Sequence, residues 1–147
     1  MSILKQLVED NLEEKIYISG WVRTGRTSSS NLAFCNLNDG SNPEGLQIVI
    51  SDKTMKQENL DDFFKDVKTG VFINCIGKMI KSPAEGQKYE MQLEKFELTG
   101  KVDDSYPLSK TKMNLDTLRN YIHLRARTNT FGSIFRIRSS LMKYLHD

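Results

Sequence analysis

Three side chains between residues 16 and 50 carry chemistry that packing alone does not call for: Arg23, Phe34 and Gln47. Each sits on a run of alternating character. In IYISGWVR, Ile16, Ile18 and Val22 share one face, and Tyr17, Trp21 and Arg23 share the other. In LAFCNLN, Ala33, Cys35 and Leu37 lie opposite Leu32, Phe34 and Asn36. In LQIVIS, Leu46, Ile48 and Ile50 lie opposite Gln47 and Val49. Successive side chains of a strand point to opposite faces. If the aliphatic sets fill a core, a basic group, an aromatic plate and an amide share an exposed sheet face. Charge for phosphate, a ring for stacking and an amide for a base edge suit single-stranded nucleic acid. Plainer readings stand beside this one. Phe34 could pack under a Thr27–Asn31 loop, and Gln47 could be a solvated strand residue.

The elements that must position these groups read as a small barrel. A first strand, Lys15 to Arg26, is long and interrupted by Gly20, where a bulge or bend is expected. A barrel needs one such strand to pair on both sides. Leu32–Asn38 and Leu46–Ser51 follow, separated by the turn residues Asp39-Gly40 and Pro43 to Gly45. Residues 59–68 read as a helix capped by Asn59, with Leu60, Phe63, Phe64 and Val67 as its apolar stripe and Gly70 as its stop. The stripe makes Phe63 and Phe64 a plug for the barrel. Val71–Ile80 and Gln87–Leu98 complete five strands around the Ser82–Gly86 turn. On the last strand, Tyr89, Met91 and Leu93 alternate with Glu90, Gln92 and Glu94. A helix between strands three and four of a five-stranded barrel is the OB-fold order, and its placement argues against an SH3-like barrel. Residues 3–12 add an amphipathic N-terminal helix. The expected architecture is mainly β, with residues 1–100 as the OB-fold domain. Residues 101–147 form a linker and helical tail: Asn114 caps LDTLRNYIHL, and a second helix covers Phe131–Leu145.

Composition narrows the function classes. The chain has 147 residues and a net charge of +2. Residues 1–100 hold 12 Lys and Arg against 15 Asp and Glu, and residues 101–147 hold 9 against 4. A general nucleic-acid coat would be strongly basic throughout. Binding by the barrel must therefore be local and base-directed, with the basic tail free for backbone contact or an acidic partner. No apolar run approaches a membrane span of about 20 residues, and no secretory signal is seen, so a cytoplasmic protein is expected. Cys35 and Cys75 read as buried reduced thiols, and two His and two Cys at no ligand spacing give no metal site. His123 reads as a residue of a helix end, and no catalytic residue is assigned.

The motifs GWVRTGR (20–26), LAFCNLNDG (32–40), LQIVI (46–50) and SPAEGQ (82–87) resemble the anticodon-binding barrel of class IIb aminoacyl-tRNA synthetases. The block YPLSKTKMNLDTLRNYIHLRARTNTFGSIFRIRSSL (106–141) resembles the link of asparaginyl-tRNA synthetases into their catalytic domain. HLRARTN (123–129) favours the asparaginyl over the aspartyl branch, with Ala126 where the family carries proline. The resemblance implies that Phe34 stacks on the central anticodon uridine and Gln47 reads that base's edge. It implies that Glu90 reads the first-letter guanosine and that Arg26, with Arg23, holds the anticodon backbone. The expected partner is the anticodon loop of the tRNA for asparagine. The family's Arg-x-Glu and Gly-rich ATP motifs do not occur here, so the chain reads as the N-terminal portion of a longer enzyme. That parent would use ATP and Mg²⁺ and pair as a homodimer through its catalytic domain. The portion itself would need no cofactor and catalyse neither step. Competing readings are a generic single-strand-binding OB protein, an aspartyl-branch fragment, and a protein-interaction module docked by the tail.

Overall fold

A computed structural model describes residues 2–3, 14–29, 31–55, 60, 63, 65–83, 86–108 and 113–147. Five strands close into a barrel: β1 (Lys15–Ser29), β2 (Leu32–Asn38), β3 (Leu46–Ser51), β4 (Phe72–Lys81) and β5 (Tyr89–Gly100). Around the barrel the order is β1-β2-β3-β5-β4. All neighbours run antiparallel except β3 and β5. Helical backbone at Leu60, Phe63, Lys65 and Asp66 lies between β3 and β4. This is the OB-fold that the strand order predicts.

The first strand closes the barrel. Its residues Lys15–Trp21 pair with β4, and Trp21–Ser29 pair with β2. The change of partner falls at Gly20 and Trp21. A Cβ at Gly20 would stand 3.0 Å from the Asn38 carbonyl oxygen, closer than ordinary van der Waals contact, so a side chain there would crowd the crossing strand. The irregularity expected at Gly20 sits further on: the register slips by one residue at Arg23, between Val22↔Leu37 and Thr24↔Asn36. β1 also runs past Arg26, because Thr27 and Ser29 pair with Ala33 and Leu32. Most of the anticipated Thr27–Asn31 loop is thus sheet.

The core follows the alternation. Ile18, Leu37, Ile48, Ile50, Ile73 and Leu93 are wholly buried, and the inner faces of all five strands contribute to one cluster. Leu60 and Phe63 close it from the β3–β4 connection. The Phe63 ring meets Phe96 edge-on at 5.1 Å, and the Val67 amide donates to the Phe63 carbonyl at 2.9 Å. Phe63 therefore plugs the barrel as expected, while Asn59 and Phe64 lie outside the described residues. Of the N-terminal segment only Ser2 and Ile3 are described among residues 1–13. Ile3 is buried, and its amide donates to Asp39 Oδ2 at 2.8 Å. Cys35 and Cys75 are buried free thiols. Burial pushes Cys35 up to about 12 and raises Cys75 further, with help from Cys35 beside it, which keeps both protonated and inert.

The chain divides into two compact units, Met1–Tyr106 and Pro107–Asp147. In the second, α1 (Leu115–Asn120) is capped by the Asn114 side chain, which accepts from the Thr117 amide at 2.7 Å. The helix stops sooner than the sequence suggested. Tyr121 leaves helical geometry, His123 lies in an exposed turn, and Arg125–Arg127 form a 3-10 turn. The Arg125 guanidinium then lies over Phe131 at 5.4 Å and Phe135 at 5.7 Å, which ties that turn to α2 (Asn129–His146). No helix among the described residues is long and apolar enough to cross a membrane.

Candidate nucleic-acid interface

Register decides which outward side chains become neighbours. Two adjacent rows cross the outer face of the barrel. One runs Thr24–Asn36–Gln47–Glu90, and the other runs Arg26–Phe34–Val49–Gln92. Directly opposed residues on neighbouring strands have Cβ atoms about 5 Å apart. Four of the five expected site residues thus fall on one patch two rows deep.

Arg26 and Phe34 meet directly. They are cross-strand partners, and the guanidinium carbon lies 4.9 Å from the ring centroid. Arg26 is exposed and Phe34 half-buried. The meeting depends on the slip at Arg23. Strict alternation from Val22 would turn Thr24 and Arg26 toward the core, and the inserted residue sends them outward instead. The same register keeps Arg26 apart from Asp39. Asp39 follows Asn38, which pairs with Trp21 at the far end of the ladder, whereas Arg26 pairs with Phe34. Arg23 occupies the inserted position, between the pairs Val22↔Leu37 and Thr24↔Asn36, and is half-buried.

Gln47 and Glu90 stand side by side on the parallel β3–β5 pair. Gln47 is half-buried. Glu90 is not the plain surface charge its residue type suggests, because it is only 6% exposed. Its Oε2 accepts from the Ser82 hydroxyl at 3.0 Å and from Gln87 Nε2 at 3.3 Å. Gln87 Nε2 also donates to Ser82 Oγ at 2.9 Å. The sequence pattern placed Ser82 in a turn and Gln87 at the start of the fifth strand, which in the structure begins at Tyr89, and marked neither as a partner of the carboxylate. The signal available was a hydroxyl and an amide flanking a turn that leads into the acidic strand.

The β2–β3 loop beside the patch is braced by its own amides. Asn38 Nδ2 donates to the Asn42 carbonyl at 3.0 Å, and Asn42 Oδ1 accepts from the Gly45 amide at 3.0 Å. Asn36 Nδ2 reaches the Glu44 carbonyl at 2.9 Å. Asp39 takes the Ser41 amide and hydroxyl on Oδ1 and the Ile3 amide on Oδ2. Partial burial raises the Asp39 carboxyl, but these hydrogen bonds outweigh it and hold it below the usual carboxylate range. Among the described residues no group of three or more His, Cys, Asp or Glu is placed to hold a metal.

Residues 16–99 match the family model described as an OB-fold nucleic acid binding domain. The chain belongs to that family. An asparagine–tRNA ligase from Pelobacter propionicus is 38% identical over 146 residues, covering 99% of this chain and 31% of the relative. The resemblance to asparaginyl-tRNA synthetases therefore stands, and the chain spans about a third of the length of the curated relatives it matches. A crystal structure of asparaginyl-tRNA synthetase from Pyrococcus horikoshii superposes with a TM-score of 0.75 at 19% identity, covering 91% of this chain and 31% of that one. An aspartyl-tRNA synthetase from Entamoeba histolytica gives 0.76 at 18%, covering 94% of this chain and 34% of that one. These two likenesses concern the OB-fold and its continuation. They do not separate the branches.

Proposed function

We propose that this chain is the anticodon-reading portion of an asparagine–tRNA ligase. The observation that carries the reading is the common outer patch of Arg26, Phe34, Gln47 and Glu90. A base laid against Phe34 would gain stacking of about 1–3 kcal/mol. Arg26, beside the ring, would meet the phosphate that follows, with Arg23 supplying a second cation at the slip. The Gln47 amide has both a donor and an acceptor, which match uracil's N3–H and a carbonyl. Cytosine lacks that N3–H, so a central U is preferred. Glu90 accepts only, and guanine offers two donors on one edge, so a first-letter G suits it. The partner is then the tRNA for asparagine, whose anticodon is GUU. The asparaginyl branch is favoured over the aspartyl by the 38% identical relative.

The parent enzyme would condense asparagine with ATP, releasing pyrophosphate, and pass the aminoacyl group to the tRNA, releasing AMP. ATP and Mg²⁺ belong to that reaction, and no residue of this chain is assigned to them. A cytoplasmic homodimer is the corresponding setting.

The test is binding of the chain to anticodon stem-loops carrying GUU or GCU across a salt series. The expected preference for U is about tenfold, within the range of one good base contact. Phe34→Ala and Gln47→Ala should each abolish it. Equal and steeply salt-dependent binding of both loops would replace this reading with a generic single-strand binder.

A further inference from the structure

Ser82, Gln87 and Glu90 form a closed triangle of three hydrogen bonds, two of which end on the same carboxylate oxygen, Oε2. A carboxylate oxygen carries two lone pairs, so both of those on Oε2 are engaged. Among the described residues none donates to Oε1. At 6% exposure the side chain is held in place, beside Gln47.

We propose that Glu90 reads a base through Oε1 alone, with Ser82 and Gln87 as the positioning residues that hold Oε2. The proposal rests on the anticodon reading above and sharpens its first letter. A carboxylate with both oxygens open would grip guanine's N1–H and its 2-amino group in parallel. With Oε2 saturated by protein donors, one oxygen answers to one strong donor, the N1–H. The barrel then distinguishes bases that carry N1–H, guanine and hypoxanthine, from adenine, whose N1 is an acceptor facing a carboxylate. The 2-amino group contributes little.

Three stem-loops with G, inosine or A before UU test this by direct binding to the full chain. G and inosine should bind within about twofold of each other, and A about tenfold or more weaker. Gln87→Ala and Ser82→Ala should narrow the G-over-A ratio while the U-over-C ratio at the centre stays as in the unaltered chain. Ser82→Thr keeps the hydroxyl and should keep the ratio. Thermal melts of each variant show that the barrel is intact. Inosine binding as weakly as A would overturn the one-oxygen reading and leave anticodon recognition standing. A G-over-A ratio unmoved by either alanine would remove the positioning role. Loss of all base preference in the unaltered chain would overturn the underlying reading as well.

Discussion

Arg26 and Phe34 hold each other only weakly. An exposed cation over an aromatic ring contributes about 0.5–1 kcal/mol, so a base can reach the ring at small cost. Asp39 is a different kind of residue. It accepts hydrogen bonds from Ile3 and Ser41, and those bonds keep its carboxyl below the usual range. A lowered folded-state value means the stabilisation is complete above the unfolded value, about 3.9. It is lost as pH falls through the folded value. Melting of the unaltered chain and of Asp39→Asn should therefore differ at pH 7 and converge toward pH 3. A difference unchanged over that range would mean that the Asp39 charge does nothing for the loop. The acceptor role of Asp39 was not readable from the sequence, where Asp39-Gly40 signals a turn and nothing more. Its partner Ile3 is 36 positions away.

At the level of elements, the β2–β3 loop fixes the spacing of the two strands that carry Phe34 and Gln47. Gly45 ends it at φ 75°, and a Cβ there would sit 2.5 Å from the Leu37 carbonyl oxygen. Both facts demand glycine. The left-handed backbone alone costs a residue with a Cβ about 1–2 kcal/mol. Gly45→Ala should lower the melting temperature by at least about 4 °C for a domain of this size. A melt unchanged by the substitution would show that the loop adapts freely. The strands themselves were legible from alternation, since β2 and β3 match their predicted bounds and faces. The slip at Arg23 was not. Nothing in RTGR marks an inserted residue, because the insertion arises where β1 leaves β4 for β2. Alternation alone gave Arg23 as the outward cation, and only the family resemblance brought in Arg26. The burial of Glu90 escaped for a related reason. Its face was predicted correctly, but its cover comes from Ser82 and Gln87, which approach through the turn.

For the molecule as a whole, the inner faces of the five strands predicted the barrel because their aliphatic residues have nowhere else to go. The tail was less legible. Asn114 marked the start of α1 correctly, yet the apolar residues after Asn120 prolonged the helical pattern past its real end. The barrel depends on β1, whose two halves have partners at very different distances along the chain. Trp21–Ser29 pair with β2 and need only a short hairpin to close. Lys15–Trp21 pair with β4, where Lys15 meets Lys78. Local contacts form before distant ones because loop closure is cheaper for them. The half of β1 that bears Arg26 therefore acquires its neighbour early, while the other half waits until β4 has been synthesised. Pulse-labelled hydrogen exchange during refolding should protect the amides around Arg26 and Phe34 ahead of those around Ile18 and Cys75; simultaneous protection would mean that the barrel closes in one step. On a ribosome, a nascent chain halted before β4 would already carry the arginine and the phenylalanine side by side, and a misfolded intermediate would keep that hairpin while exposing the other edge of β1 to foreign strands.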